Sequence, residues 1–150
     1  MTPADDFAQN VAVELDALKS LVALLLQESN ALAAEDTEAL VTLAAEKSAP
    51  MQILSDCAMR RDRMIRAGVT TADLHPMVNA SSHNRELWDK VMRAAREAAR
   101  LNFGNSYAVC QRLNKVHRAL GVLGAARSPV YHAGGTSIQN PETSRSFGRA

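Results

Sequence analysis

Histidine, cysteine and carboxylate side chains are the groups best able to do chemistry, and in this 150-residue chain they are few and scattered. His83 and Glu86 stand three residues apart on a predicted helix, which puts both on one face. Carboxylate-bridged metal bundles, however, use the order Glu-x-x-His, in two copies, with two further glutamates. Neither requirement is met here. His75, His117 and His132 fall in a connection, a helix and a tail, without ligand spacing, so solvated or hydrogen-bonded histidines are expected. Cys57 and Cys110 form no CxxC pair, and two buried, reduced thiols are the expectation. No nucleophile-and-base motif, paired-carboxylate site or phosphate-cradling loop is recognisable. The sequence therefore predicts no catalytic residue, no cofactor and no metal, and a chain that is not an enzyme.

Composition points instead to helices that hold other helices. Hydrophobic residues make up 47% of the chain and aromatics only 4%, the apolar set being mostly Ala, Leu, Val and Met. Such residues favour helical bundles and coiled coils over sheets. No apolar run approaches the roughly 18 to 20 residues of a membrane span, and Asp5 and Asp6 stand where a signal peptide would be basic. A cytoplasmic protein without membrane insertion is expected. The net charge of +1 conceals an asymmetry: residues 1–46 hold nine acidic side chains and only Lys19, a net of −8, leaving +9 for the rest. The two halves should attract one another. No aromatic residues interleave with the arginines, so nucleic acid is not an expected partner.

The elements follow from apolar spacing and caps. Val11, Leu15, Leu18, Val22, Leu25 and Leu32 recur at steps of three and four and predict a first helix over about 3–34. Leu21, Leu24 and Leu26 widen its stripe enough to touch more than one neighbour. Glu35 and Asp36 mark a turn, with Asp36 or Thr37 capping a second helix that ends in arginines before Gly68. Pro50 predicts a kink in that helix, or a break after Ser48 with the helix restarting. A turn-rich connection follows over 69–80, with a short helical turn from Thr71. Ser81 or Ser82 then caps a third helix of about forty residues, with Glu86 near the capping-box position. Its inner face is predicted to comprise Leu87, Trp88, Val91, Ala95, Ala98, Leu101, Asn105, Val109, Leu113, Val116, Leu120 and Leu123.

Three features inside this frame bear on binding. Met51, Met59, Met64, Met77 and Met92 suit a core, with an adaptable partner surface as the second reading. Gly104 interrupts the third helix and is explained either by a close approach or polar contact beside Asn102 and Asn105, or by simple tolerance. Leu113, Val116, Leu120 and Leu123 carry the apolar seam to the end of the third helix. Antiparallel pairing with the shorter first helix is expected to leave part of it uncovered, as a groove for a partner helix. The predicted architecture is all-α: an elongated antiparallel three-helix bundle or coiled coil over 1–126, with a flexible Ser-, Gly- and Pro-rich tail over 127–150.

The ordered set of segments resembles the FlgN-type flagellar export chaperones from about Ala17 to Gly135. The likeness is carried by ESNALAAEDTEALVTLAAEKSAPMQIL at 28–54, RRDRMIRAG at 60–68, LW at 87–88, RLNFGNSYAVCQRLNKVHRALGVL at 100–123 and VYHAGG at 130–135. Asn102, Asn105 and the stretch Tyr131 to Gly134 are the most telling positions, while Ser106 and Pro50 depart from the usual pattern. The resemblance implies a cytoplasmic chaperone of the flagellar type III secretion system that holds hook-filament junction (hook-associated) proteins before export. It further implies that cargo binding falls on Leu113, Val116, Leu120 and Leu123, and that Tyr131 docks at the membrane subunit of the export gate. The oligomeric state is open between monomer and homodimer. The rival reading is a self-associating structural coiled coil, in which the same seam pairs with a second copy.

Overall fold

The computed structural model describes residues 3–66 and 75–126. Among these residues five helices follow one another: α1 (Pro3–Ala34), α2 (Thr37–Glu46), α3 (Ser48–Arg66), α4 (His75–Val78) and α5 (Ser82–Ala126). The fold is all-α, and no strand occurs among the described residues. The chain divides into two compact units, residues 1–111 and 112–150.

Local chemistry sets the helix ends. α1 opens with Asp5 and Asp6 in its first turn, where carboxylates meet the positive end of the helix dipole. It closes on Glu35, whose φ of 59° turns the chain out of the helix. The Asp36 carboxylate then accepts from the Ala39 N–H at 3.0 Å and starts α2. The predicted interruption near Pro50 exists but falls at Lys47, one residue before Ser48. Pro50 consequently sits in the first turn of α3, where backbone N–H groups have no acceptor within their own helix and its missing N–H costs little. Ser81 caps α5 by accepting from the Asn84 N–H at 3.0 Å. The side chain that answers Ser81 is Asn84, and the predicted capping residue Glu86 pairs with Lys90 one turn on. The proposed helical turn at Thr71 and the stop at Gly68 lie outside the described residues; the described turn is α4.

Unit 1 is an up-down-up bundle. Lys47 reaches Glu28 near one end of α1, while Arg61 reaches Glu14 and Cys57 meets Asn10 toward the other, so α2 and α3 run opposite to α1. The Asn84 amide donates to the carbonyls of Met77 and Ala4, bringing α4 and the start of α5 to the start of α1. Farther along, Asn105 donates to the carbonyl of Leu25. Both α1–α5 pairs are 80 positions apart in sequence, which makes the two long helices parallel and not antiparallel, as their lengths had suggested. A middle layer of α2 and α3 returns the chain to its starting end, and the third long helix must then rise alongside the first.

The core lies along α1. Phe7, Val11, Leu15, Leu18 and Leu25 bury against Met64, Met77, Val78, Val91, Ala98 and Leu101. Phe7 is fully buried and its ring lies 6.0 Å from that of Trp88, tilted by 38°, a geometry that adds quadrupole attraction to area burial. Only two of the five methionines read as core, Met64 and Met77, are buried; Met51, Met59 and Met92 are exposed. Cys57 is buried as expected, but Cys110 is exposed.

Candidate partner-binding surface

The inner face of α5 changes character along its length. Val91, Ala98, Leu101 and Asn105 are buried, and Leu87, Trp88, Ala94 and Ala95 pack against the core. At the next seam position Val109 is already exposed. Leu113, Val116, Leu120 and Leu123, which keep the same steps of three and four, are 53%, 52%, 59% and 59% exposed. α5 has 45 residues and α1 has 32. The four residues span ten positions, a strip of about 15 Å at 1.5 Å per residue.

Asn105 marks the end of the buried stretch. Its side chain is buried and donates to the Leu25 carbonyl at 2.8 Å and to the Glu28 carboxylate at 2.9 Å, and Glu28 also pairs with Lys47. One amide thus ties α5 to α1 and, through Glu28, to the α2–α3 junction. Of the two readings for Gly104, close approach fails, since a Cβ built there would meet nothing within 4 Å. The polar contact belongs to its neighbour Asn105.

Two features escaped the sequence. A second polar node joins Asn10, Glu14, Cys57 and Arg61: the Asn10 amide donates to the Cys57 carbonyl at 3.2 Å, and Arg61 pairs with Glu14 while lying 5.8 Å from the centre of the Trp88 ring. Burial pushes the Glu14 carboxyl above its ordinary value, although the charge and hydrogen bond of Arg61 pull the other way. Burial likewise pushes the Cys57 thiol up, with Glu14 adding to the shift, and keeps it a protonated, unreactive thiol. The second feature is Phe103 and Tyr107, exposed one turn apart on α5 outside the inner face. Two aromatics spaced i, i+4 off the heptad seam were the available signal.

The depression between α1 and α2 is bordered by Gln27, Asn30, Thr42 and Glu46. Among the described residues no group of three or more His, Cys, Asp or Glu side chains could hold a metal ion. Nor, among those residues, is any helix long and apolar enough to cross a membrane. What the surface does offer is an apolar strip at helical spacing. The family model described as FlgN protein matches residues 1–137. The chain belongs to the FlgN family. No match to a curated protein or to a solved structure accompanies the family match. Membership brings with it a general role in flagellar export as a chaperone, and hence a protein partner. Tyr131 lies outside the described residues.

Proposed function

We propose that this FlgN-family chain is a cytoplasmic type III export chaperone that binds and protects hook-filament junction proteins and delivers them to the flagellar export gate. The cargo-holding helical domain is assigned to residues 1–126, and 127–150 to a separate C-terminal segment. The exposure of Leu113, Val116, Leu120 and Leu123 on one side of α5 is the observation that carries the reading. Monomeric proteins rarely leave an ordered apolar strip in water, and a partner helix laid along this one would bury it. The junction proteins' helix-forming terminal segments are suited to that role, since free in solution they would expose the same kind of face. Ordering a segment on binding consumes part of the gross interaction energy, which keeps the complex releasable without nucleotide. Tyr131 is assigned to gate docking on the family resemblance.

Co-expression with the host's junction proteins tests the assignment. A pull-down with wild type should recover cargo in a one-to-one complex, and Leu120→Asp, which puts a carboxylate in the strip, should lose it. Equal recovery by both forms would remove cargo from this strip. Tyr131→Ala should keep cargo binding in the same pull-down and lose export in cells. The self-associating coiled coil makes the opposite forecast: light scattering would show a dimer that Leu120→Asp splits.

A further inference from the structure

We propose that the groove between α1 and α2 is a docking surface separate from the Leu113–Leu123 strip, and that it takes a basic amphipathic helix of a partner protein. The groove is a depression of about 610 Å³ lined from both helices. Its floor is apolar and made of small side chains around one leucine: Leu43 and Ala31 are 6% and 8% exposed, and Ala34 and Ala39 continue it. Glu38, Thr42 and Glu46 stand four residues apart along α2, so they form a row that turns by about 40° per step and runs beside Ala39 and Leu43. The wall from α1 carries the amides of Gln27 and Asn30. Residues 20–46 contain five carboxylates and no lysine, arginine or histidine. Glu28 is taken up by Lys47 and Asp36 by the cap of α2, whereas the exposed Glu38 and Glu46 enter no ion pair among the described residues.

Charge selects the occupant. Glu38 and Glu46 are eight residues apart, about 12 Å along the helix, and a helix laid in the groove presents cations at its own positions i and i+8 at the same separation while its apolar stripe meets the floor. Arginine suits this wall better than lysine, because its planar fork gives a carboxylate two donors and leaves others for an amide oxygen. An anionic lipid surface is repelled by the same carboxylates. A second copy seated through the same groove sets Glu38 and Glu46 against themselves. The chain's own residues 127–150 match poorly: Pro129 and Pro141 divide them, no lysine or arginine lies between, and Arg145 and Arg149 are four residues apart, half the required spacing. A metal ion is no better, since no group of three or more ligating side chains occurs among the described residues. Exposed charges act through solvent, so each pair contributes modestly and less as salt rises. The inference goes beyond the proposed function and does not depend on it.

The test uses the full chain and two labelled peptides of about 18 residues, with the same Ala and Leu stripe at helical spacing and either Arg or Glu at positions i and i+8 beside it. Fluorescence anisotropy at about 50 mM NaCl should show the Arg peptide binding about tenfold tighter, the preference shrinking to threefold or less at about 500 mM. Glu38→Gln combined with Glu46→Gln should erase the preference. Thr42→Arg, which sets a cation one turn from each carboxylate, should weaken the Arg peptide by a similar factor. All three positions are exposed, so circular dichroism should stay that of wild type. Leu120→Asp should leave the Arg peptide's affinity within about twofold. Equal affinity for the two peptides, or binding of neither, overturns the inference. So does loss of the Arg peptide in Leu120→Asp, which would seat it on the α5 strip. Tighter binding after Arg145→Glu with Arg149→Glu would make the chain's own end the occupant, and a dimer that the double glutamine variant dissolves would make it a second copy; either result also overturns the inference.

Discussion

Replacing Asn105 with alanine should be among the most damaging single changes to the bundle outside its apolar core. The side chain is 5% exposed and makes two bonds, to the Leu25 carbonyl and to the Glu28 carboxylate. A neutral bond contributes on the order of 1 kcal/mol net and a bond to a charged group about 1.5 to 3. Some of that is recovered, because the Leu25 carbonyl keeps its partner within α1 and Glu28 keeps Lys47. A net loss of about 2 to 3 kcal/mol remains. With a urea m-value of about 2 kcal/mol/M, the unfolding midpoint should fall by roughly 1 to 1.5 M at unchanged slope. Asn105→Asp should lose more, since it sets a second carboxylate against Glu28 and an acceptor against a carbonyl. Asn102→Ala, at an exposed position, should stay within about 0.5 kcal/mol of wild type. Should Asn105→Ala unfold within about 0.3 M of wild type, the amide is not what ties α5 to α1.

Glu14→Gln isolates a buried carboxyl whose affinity for protons is raised. A raised native-state value contributes stability below the ordinary carboxylate range that is lost as pH rises through the native value, so wild type should lose ground relative to Glu14→Gln as pH is raised above that range in urea titrations; a flat difference would contradict the assignment. Gly104→Ala should raise stability by about 0.5 to 1 kcal/mol in thermal melts, since the added methyl meets nothing and the helix gains propensity. With a thiol reagent, native protein should react at once at Cys110 and at Cys57 only on unfolding, and Cys110→Ser should abolish the fast phase. Phe7→Ala empties a fully buried aromatic site and should cost about 3 to 5 kcal/mol, with a change in Trp88 fluorescence in the folded state.

Features governed by neighbours in sequence were legible. The span of α1, the Asp36 cap and an interruption near Pro50 all follow from backbone chemistry within a few residues. Where several partners compete for one cap, as Asn84 and Glu86 do for Ser81, residue type alone did not decide. The direction of α5 against α1 was misjudged because pairing by length ignores the intervening layer, which consumes one reversal of the chain. The polar node at Glu14 was invisible for a different reason. A glutamate beside a heptad seam reads as a solvated flank, and only the fold brings it to Arg61, 47 positions away. Cys110 shows the converse, a residue of usually buried type on a stretch of α5 where even the inner-face residue Val109 is exposed.

The two halves of the design use different chemistry. Asn84 near the base of the bundle, the Asn10–Cys57 and Glu14–Arg61 contacts above it, and the Asn105–Glu28–Lys47 link farther along all lie within residues 1–111. Buried polar groups are costly when mispaired, so this ladder favours one register of the helices over neighbouring ones that apolar packing alone would tolerate. None of Leu113, Val116, Leu120 and Leu123 belongs to the core cluster that these contacts surround. Single exposed apolar residues are ordinary on protein surfaces. Four at heptad spacing on one side of one helix are an ordered strip, and the bundle does not draw on them for its own core. On the proposed reading, folding and partner binding use different residues, so a charge placed at Leu120 should abolish capture while leaving the urea midpoint of the bundle where it was.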